Sequence, residues 1–402
     1  MRNTAFRLLI LTGLVAFAIG RPATAGEPEY VPTPTGDLAQ RLDGTLQNLG
    51  GNSEVYDEAQ PAEGFPTCST ADSVRPGGWF LDGGFEVLHR MKGTSINYIA
   101  LGQDNSLQSV NTTLPAITFA DREFGLAPGA RATLGRYIDS SCSEWDRNLE
   151  FSFLGGFNFD TKSELDSLFA HQIFSPGATF LGGFNGADSF KTNYRSTFNS
   201  FEWDIRFTED LPRDRMVMTP DGNWHREMNE EHVVSFLFGF RWMNIQEDFS
   251  LQSRRNDQDF ATFHGDYDIH TKNDMLGVQM GGELIEQHNR WNWGVNAKGG
   301  IYANFLAQSS TISTADPNTN LLLVNRNEHS SNTIAAFEGE IGLYGNYQLT
   351  RCCTFHAGYD FIFLRGLASA PDQFHFNDSR TNVVYGAYQF LTGGNLGFEV
   401  AW

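Results

Sequence analysis

Ten stretches of this chain alternate apolar and polar residues with a period of two. That period puts successive side chains on opposite faces of an extended strand. The last run is the longest. Val384, Tyr388, Phe390, Thr392, Leu396, Phe398, Val400 and Trp402 share one phase with Gly386 and Gly394. Tyr385, Gln389, Asn395, Gly397, Glu399 and Ala401 hold the other, interrupted by Leu391. The first run sets Trp79, Leu81, Phe85 and Val87 against Asp82 and Glu86. A second, over 130–138, alternates poorly. The third sets Leu149, Phe151, Phe153, Phe157 and Phe159 against Asn148, Glu150, Ser152 and Asn158. The fourth sets Phe201, Trp203, Ile205 and Phe207 against Glu202, Asp204 and Arg206. The fifth carries Val234, Phe236, Phe238, Phe240 and Trp242 against Ser235 and Arg241. The sixth carries Leu276, Val278, Met280 and Leu284. The seventh opposes Trp291, Trp293, Val295 and Ile301 to Asn292, Asn296, Lys298 and Tyr302. The eighth opposes Phe337, Ile341, Leu343 and Tyr347 to Glu338, Glu340, Asn346 and Gln348. The ninth opposes Phe355, Tyr359, Phe361 and Phe363 to His356 and Asp360.

One face of each strand is thus apolar and aromatic, the other polar and small. Lipid outside and a lumen inside would select that division. The pattern predicts an all-β fold: a transmembrane, antiparallel, up-and-down β-barrel of ten to twelve strands. Short connections follow strands two (140–146), six (287–289) and eight (350–352), and long ones follow strands one, three, five, seven and nine. This is the arrangement of short periplasmic turns and long outer loops. The connection 209–230 is long where a short turn is expected. An extra hairpin there, or in 90–128, would raise the count to twelve. No stretch of eighteen consecutive apolar residues occurs after residue 25, so the sequence offers no spanning helix.

The N-terminus adds a compartment. Arg2 and Arg7 precede an apolar run from Leu8 to Ile19, followed by Ala23-Thr24-Ala25. This reads as a signal peptide over 1–25, too short in its apolar part to span a bilayer. Residues 26–77 hold Pro28, Pro32, Pro34, Pro61, Pro66 and Pro76 and no alternating run. They read as a periplasmic leader, with one weak helical spacing at Leu38, Leu42, Leu46 and Leu49. The barrel is expected over 78–402. The 34 Phe, 12 Tyr and 8 Trp suit a lipid-facing band with aromatic girdles. Trp79, Trp291 and Trp402 are placed at the periplasmic rim and Trp242 at the outer end of strand five. Net charge is −20, and loss of Arg2, Arg7 and Arg21 takes it to −23, so a nucleic-acid footprint is absent.

Three segments carry a more specific resemblance: Phe238-Gly239-Phe240-Arg241-Trp242; Gly358-Tyr359-Asp360-Phe361-Ile362-Phe363-Leu364 with Ala370-Pro371-Asp372-Gln373; and Asn395-Leu396-Gly397-Phe398-Glu399-Val400-Ala401-Trp402. Together they resemble the planctomycetal outer-membrane family called beta-barrel porin-7, from about Gly78 to Trp402. The resemblance implies an outer-membrane barrel with porin-like function and brings no catalytic residues. The aromatic end also resembles the C-terminal signal of bacterial outer-membrane barrels, which implies the barrel-assembly machinery as a partner. Residues 26–77 and 246–272 lie outside the resemblance.

Candidate chemistry is concentrated in the lumen. The phases above point Asp82, Glu86, Glu150, Glu202, Asp204, Glu283, Glu338, Glu340, Asp360 and Glu399 inward, against Arg206, Arg241, Lys298 and a neutral His356. Carboxylates in a confined lumen raise local cation concentration. A barrel of this size is also close to the side-chain-filled limit. Two readings follow: a narrow, cation-preferring passive channel for small cationic or neutral solutes, or a closed-lumen structural or surface-interaction barrel. His264, Asp266, Asp268 and His270 alternate along one segment and are weak metal candidates. At strand spacing they spread over roughly 20 Å, so one strand offers only two of them to one ion. No GxSxG, HExxH or phosphate loop is present, and neither an enzyme nor a cofactor is expected. Ser235 and His232 have opposite parity. Gly155-Gly156 and Gly281-Gly282 read as relief of strand curvature. The four cysteines (Cys68, Cys142, Cys352, Cys353) permit three pairings. A bond between adjacent Cys352 and Cys353 is the most strained of these.

Overall fold

In a computed structural model of the chain, ten strands close into one antiparallel barrel. They are β1 (Trp79–Arg90), β2 (Leu126–Ile138), β3 (Trp145–Asp166), β4 (Ser189–Glu209), β5 (His232–Asn256), β6 (Thr262–Gln287), β7 (Trp291–Asp316), β8 (Leu321–Gln348), β9 (Cys353–Leu367) and β10 (Ala387–Ala401). The structure describes residues 78–91, 98–103, 113–118, 124–138, 145–166, 173–175, 178, 183–209, 215–218, 224–227, 232–256, 262–288, 291–316, 321–350, 352–376 and 382–402. The expected signal segment 1–25 and leader 26–77 lie outside the described residues. Each strand pairs with its sequence neighbour in the barrel, and β1 closes the ring on β10 with Phe80 opposite Ala401. At the seam the Trp79 and Trp402 backbones exchange hydrogen bonds of 3.0 and 2.9 Å.

The alternation explains the wall. On β5, Phe236, Phe238, Phe240 and Trp242 are exposed while Ser235, Leu237 and Arg241 are buried. The same division recurs at Phe201, Trp203 and Ile205 on β4 and at Phe337, Ile341 and Leu343 on β8. In a ten-strand ring one face must meet the surroundings and one the lumen, so a single phase fixes both. The two extra hairpins that would have made twelve strands form apart from the wall. Arg215–Met218 pairs with Trp224–Glu227, and Tyr98–Gln103 and Thr113–Thr118 join Ile173–Phe174 and Asn185–Ala187 in a four-stranded sheet.

The outer part of the molecule departs from a simple strand-and-loop alternation. β5, β6, β7 and β8 are 25, 26, 26 and 28 residues long, where about 10 residues cross a bilayer. Only residues 257–261 separate β5 from β6, and only 317–320 separate β7 from β8. Much of what reads as loop in the sequence is therefore wall that continues past the apolar band. On β5 the outward positions after Trp242 become Gln246, Asp248, Ser250, Gln252 and Arg254. Trp242 thus marks the upper edge of the band at mid-strand and does not end β5. The connections between β1 and β2, β3 and β4, β4 and β5, and β9 and β10 are the long ones.

Two phase assignments change. Phe157 and Phe159, expected outside, are buried inside at 1% exposure. The β3–β4 register slips between Leu154 and Phe157, with Gly156 at φ +84°. One extra residue in a bulge moves every later side chain to the other face. At the last strand, Gly386 sits at φ +108° and β10 begins at Ala387, so Val384 and Tyr385 precede the strand. Tyr385 is exposed.

Candidate functional site

The lumen is filled in layers, and each layer is assembled by side chains from strands far apart in sequence. Nearest the turn end, Arg206 (β4) grips Glu150 (β3) through Nε and Nη2 at 2.8 and 3.0 Å and donates through Nη1 to Glu283 (β6). The Tyr344 hydroxyl (β8) donates to the other Glu283 oxygen. His356 (β9) lies 3.4 Å from Asp82 (β1). The next layer is drier. Arg241 (β5) has no exposed surface and donates to Glu338 at 3.1 Å, Glu340 at 3.0 Å and Ser200 at 2.8 Å, with Glu202 at 3.3 Å. Lys298 (β7) reaches Glu202 at 3.1 Å and Glu340 at 3.5 Å. Arg131 (β2) bridges Glu86 at 2.9 Å and Asp360 at 2.8 Å. Asn395 donates to Asp360 at 2.7 Å and Gln279 to Glu202 and Asp204 at 3.0 and 2.7 Å.

Inward glycines make this crowding feasible. A Cβ on Gly239 would stand 2.0 Å from Asp204 Oδ1, and one on Gly342 would meet Asn296 and Asp360 oxygens at 2.6 and 2.7 Å. A charged side chain on one strand lies over the bare backbone of the next. Gly281, read from sequence as a curvature device, likewise faces the stem of Lys298.

Above the charged layers the lumen turns apolar. Leu88, Phe157, Phe159, Phe198, Met243 and Ile245 belong to one buried cluster that also takes in Leu367, Ala370 and Phe376. The last three come from residues 367–376, which start at the end of β9 and include the short helix α1 (Ala370–Gln373). The wall holds this segment by side chain to backbone hydrogen bonds. Asn273 donates to the Ala368 carbonyl at 3.0 Å and accepts from its N–H at 2.7 Å. Asn304 donates to the Gly366 carbonyl at 2.8 Å. Glu247 accepts from Arg90 at 2.6 Å, Tyr194 at 2.8 Å, Ser369 at 3.0 Å and the Ala370 N–H at 2.8 Å. Arg326 reaches the His375 carbonyl at 2.7 Å, and Tyr267 donates to it at 3.0 Å.

Of the lumen residues expected from sequence, Glu150, Glu202, Asp204, Arg206, Arg241, Lys298, Glu338, Glu340 and Asp360 lie on the inner face of their strands. Arg131 was not among them. The outward positions of β2 run Leu126, Pro128, Ala130, Ala132, Leu134, Arg136 and Ile138, and the small and charged residues among them blur the phase in the sequence. Glu247, Asn273 and Asn304 were hidden because each lies beyond the alternating run of its strand. Among the described residues, ten inward carboxylates at band height face four cationic side chains, Arg131, Arg206, Arg241 and Lys298, which leaves a formal charge of −6. The tryptophans Trp79, Trp291 and Trp402 are exposed at strand ends on the turn side.

The metal candidates do not assemble. His264, Asp266, Asp268 and His270 lie along the outward side of β6, and His270 Nδ1 is 2.6 Å from Asp248 Oδ1 on β5. Burial, together with the Asp268 charge, pushes the Asp266 carboxyl above its ordinary range, and His264 opposes this. An open cleft of ≈ 280 Å³ runs beside the pair. Among the described residues no group of three or more His, Cys, Asp or Glu is set to hold a metal ion. Cys352 is disulfide-bonded and Cys353 is free. The two neighbours are therefore not bonded to each other, and the partner of Cys352 lies outside the described residues.

No curated protein matches the chain. Among solved structures, outer membrane protease OmpT from Escherichia coli shares 9% identity over 81% of this chain and 97% of its own, with a TM-score of 0.36. The toluene transporter TbuX of Ralstonia pickettii shares 8% over 82% and 90%, at 0.23. The toluene transporter TodX of Pseudomonas putida shares 10% over 82% and 90%, at 0.20. These scores carry no functional argument. The sequence profile of the beta barrel porin-7 (BBP7) family matches residues 129–389, from β2 into β10. With its closed ten-strand ring, lipid-facing aromatic band and charged lumen, the chain belongs to the beta barrel porin-7 family of porin-like outer-membrane β-barrels.

Proposed function

We propose that this barrel is a narrow, cation-preferring passage for small solutes, drawn shut in the conformation described. The observation that carries the reading is the lumen charge: ten carboxylates against four cationic side chains among the described residues. A confined negative field enriches cations and repels anions. The segment 367–376 is the part that would have to move. It enters from the β9–β10 connection and is held to the wall by side chain to backbone hydrogen bonds and by the apolar contacts of Leu367, Ala370 and Phe376. The reading is passive passage without catalysis. Export would use residues 1–25. Outer-membrane lipid would surround the band, and the C-terminal strand would engage the assembly machinery.

A second reading has its own support. The buried apolar cluster and the tightly paired Arg241 suit a closed structural barrel whose outer wall makes the contacts. Planar-bilayer recordings of the refolded chain separate the two. Cation-selective steps in asymmetric potassium chloride support the passage. Silence from protein shown to be folded and inserted supports the closed barrel.

A further inference from the structure

Two guanidinium groups stand on the lipid-facing side of the wall at its turn end. Arg136 on β2 and Arg147 on β3 are exposed and lie in the outward phase of their strands. In the β2–β3 register Arg136 pairs with Leu149 and Ile138 with Arg147, so the two arginines are diagonal neighbours. At that separation, about 7–8 Å, long side chains can meet. Among the described residues no other Arg or Lys faces outward at the turn end of the wall, and the acids there, Glu209 and Glu286, stand on β4 and β6. A cationic pair is the exception on a chain of net charge −20.

Neither group has a carboxylate partner among the described residues, although Glu209, opposite Trp145, is the acid nearest Arg147 by register. The contact of Arg136 is with the Trp79 ring, 5.4 Å from its guanidinium carbon. A guanidinium that lies on a ring still has its N–H edge to offer elsewhere. The height is that of the headgroups. Arg136 is opposite Trp79 in the β1–β2 register, and Trp79 belongs to the aromatic rim, where indole rings sit at the headgroup level. On the membrane side of the pair lie Leu134, Leu149 and Phe151, which are 42%, 37% and 49% exposed. A positive edge thus borders an apolar floor, with the charge at phosphate level and the floor at acyl-chain level.

We propose that Arg136 and Arg147 clamp the phosphate of one anionic glycerophospholipid in the turn-end leaflet, its acyl chains lying along Leu134, Leu149 and Phe151. The fork of a guanidinium matches two phosphate oxygens, and forks from adjacent strands can share one phosphate. Two uncompensated positive charges favour a headgroup of net negative charge over a zwitterionic one, whose ammonium would enter the same field. The apolar floor commits the site to a lipid, since free phosphate fills only the charged half. The site needs the outer-membrane barrel and nothing of conduction, so it stands or falls apart from the passage.

The test is native mass spectrometry of the full refolded chain in a neutral detergent, with phosphatidylglycerol or phosphatidylcholine added at equal concentration. One phosphatidylglycerol per chain should be retained, about fivefold or more over phosphatidylcholine. Arg136→Gln with Arg147→Gln should lower that retention about tenfold, because two basic contacts at the lipid surface are lost. Arg136→Lys with Arg147→Lys keeps both charges without the forks and should recover only part of it. Arg195→Gln, on the exposed outer side of β4 beyond the band, is the control and should change nothing. All these positions are exposed, so each variant should keep the parent's thermal transition, which shows that lost retention is not lost fold. Equal retention of the two lipids overturns the site. So does retention that the double Gln variant leaves unchanged, or an equal loss in Arg195→Gln, which would mean attraction by overall charge. If inorganic phosphate displaces the lipid at millimolar concentration, the pair is a plain anion site and the lipid reading fails.

Discussion

The lumen is filled by opposite means in its two halves. At band height it is packed with charge: Arg241, Lys298, Arg131 and Arg206 thread between carboxylates over glycine backbones. Beyond the band it is packed with Phe157, Phe159, Phe198, Phe249 and Tyr267 around a segment drawn in from the β9–β10 connection. The outer wall reverses in step, apolar below and polar above. The lower half resembles a soluble protein turned inside out, and the upper half resembles an ordinary soluble β-protein with its core inside. The surroundings explain the change. In lipid the outer face must be apolar, so polar residues go inward. Above the bilayer water surrounds the wall, and the apolar residues return to the interior.

The sharpest way to break this comparison is Arg241→Met. Each half should fail by its own mechanism, and here three carboxylates lose a buried partner. Unfolding in guanidinium should show a loss of about 3–5 kcal/mol. A loss under about 1 kcal/mol would mean the charged layer is solvated and the division into two fillings is wrong. Phe249→Ala, in the upper half, should cost a similar or smaller amount, about 3–4 kcal/mol, through a cavity. Its cost should not change with salt, whereas that of Arg241→Met should change little but measurably, because buried pairs are weakly screened.

Outside the barrel the contrast can be probed with one substitution at two heights. Phe240→Arg, in the band, should destabilise by about 2–4 kcal/mol in lipid. Ser250→Arg, ten residues further along the same face of β5, should stay within about 0.5 kcal/mol. Equal costs would move the upper edge of the membrane away from Trp242. Glu247→Gln should cost about 1.5–3 kcal/mol, since it removes the charge that gathers Arg90, Tyr194, Ser369 and the Ala370 N–H. It should also raise any conductance by loosening residues 367–376. The most specific effect on function is expected from Glu338→Gln with Glu340→Gln. If the lumen conducts, potassium-over-chloride selectivity should fall, most at low salt where screening is weakest. Unchanged reversal potentials would falsify a role for these two carboxylates in the pathway.

Strand identity was legible because it is written locally. Nine of the ten barrel strands contain a run that alternates clearly in the sequence, and the exposed phase at Phe236, Phe238 and Phe240 is the phase read there. The charged lumen was legible for the same reason, since parity alone sends Glu202 and Asp204 inward with Arg206. What failed was parity carried across an insertion. Phe157 and Phe159 reverse at the bulge beside Gly156, and Tyr385 falls outside β10 because of Gly386. Strand length failed too. Outward residues such as Gln246, Asp248 and Ser250 are polar because water surrounds them, and polarity in a sequence reads as loop.

The sequence by itself determined the class of fold, the faces of the strands and the sign of the lumen, because each depends on neighbours two residues apart. Only the tertiary structure decided the strand count, since hairpins such as Arg215–Met218 with Trp224–Glu227 could have joined the wall. It alone decided which charges meet. Arg131 reaches Asp360 across 229 positions, and the Gln279 amide reaches Asp204 across 75. It also decided that residues 367–376 fold inward. That outcome depends on Asn273, Asn304 and Glu247 lying at one height on separate strands, and barrel closure alone brings those strands to a common interior.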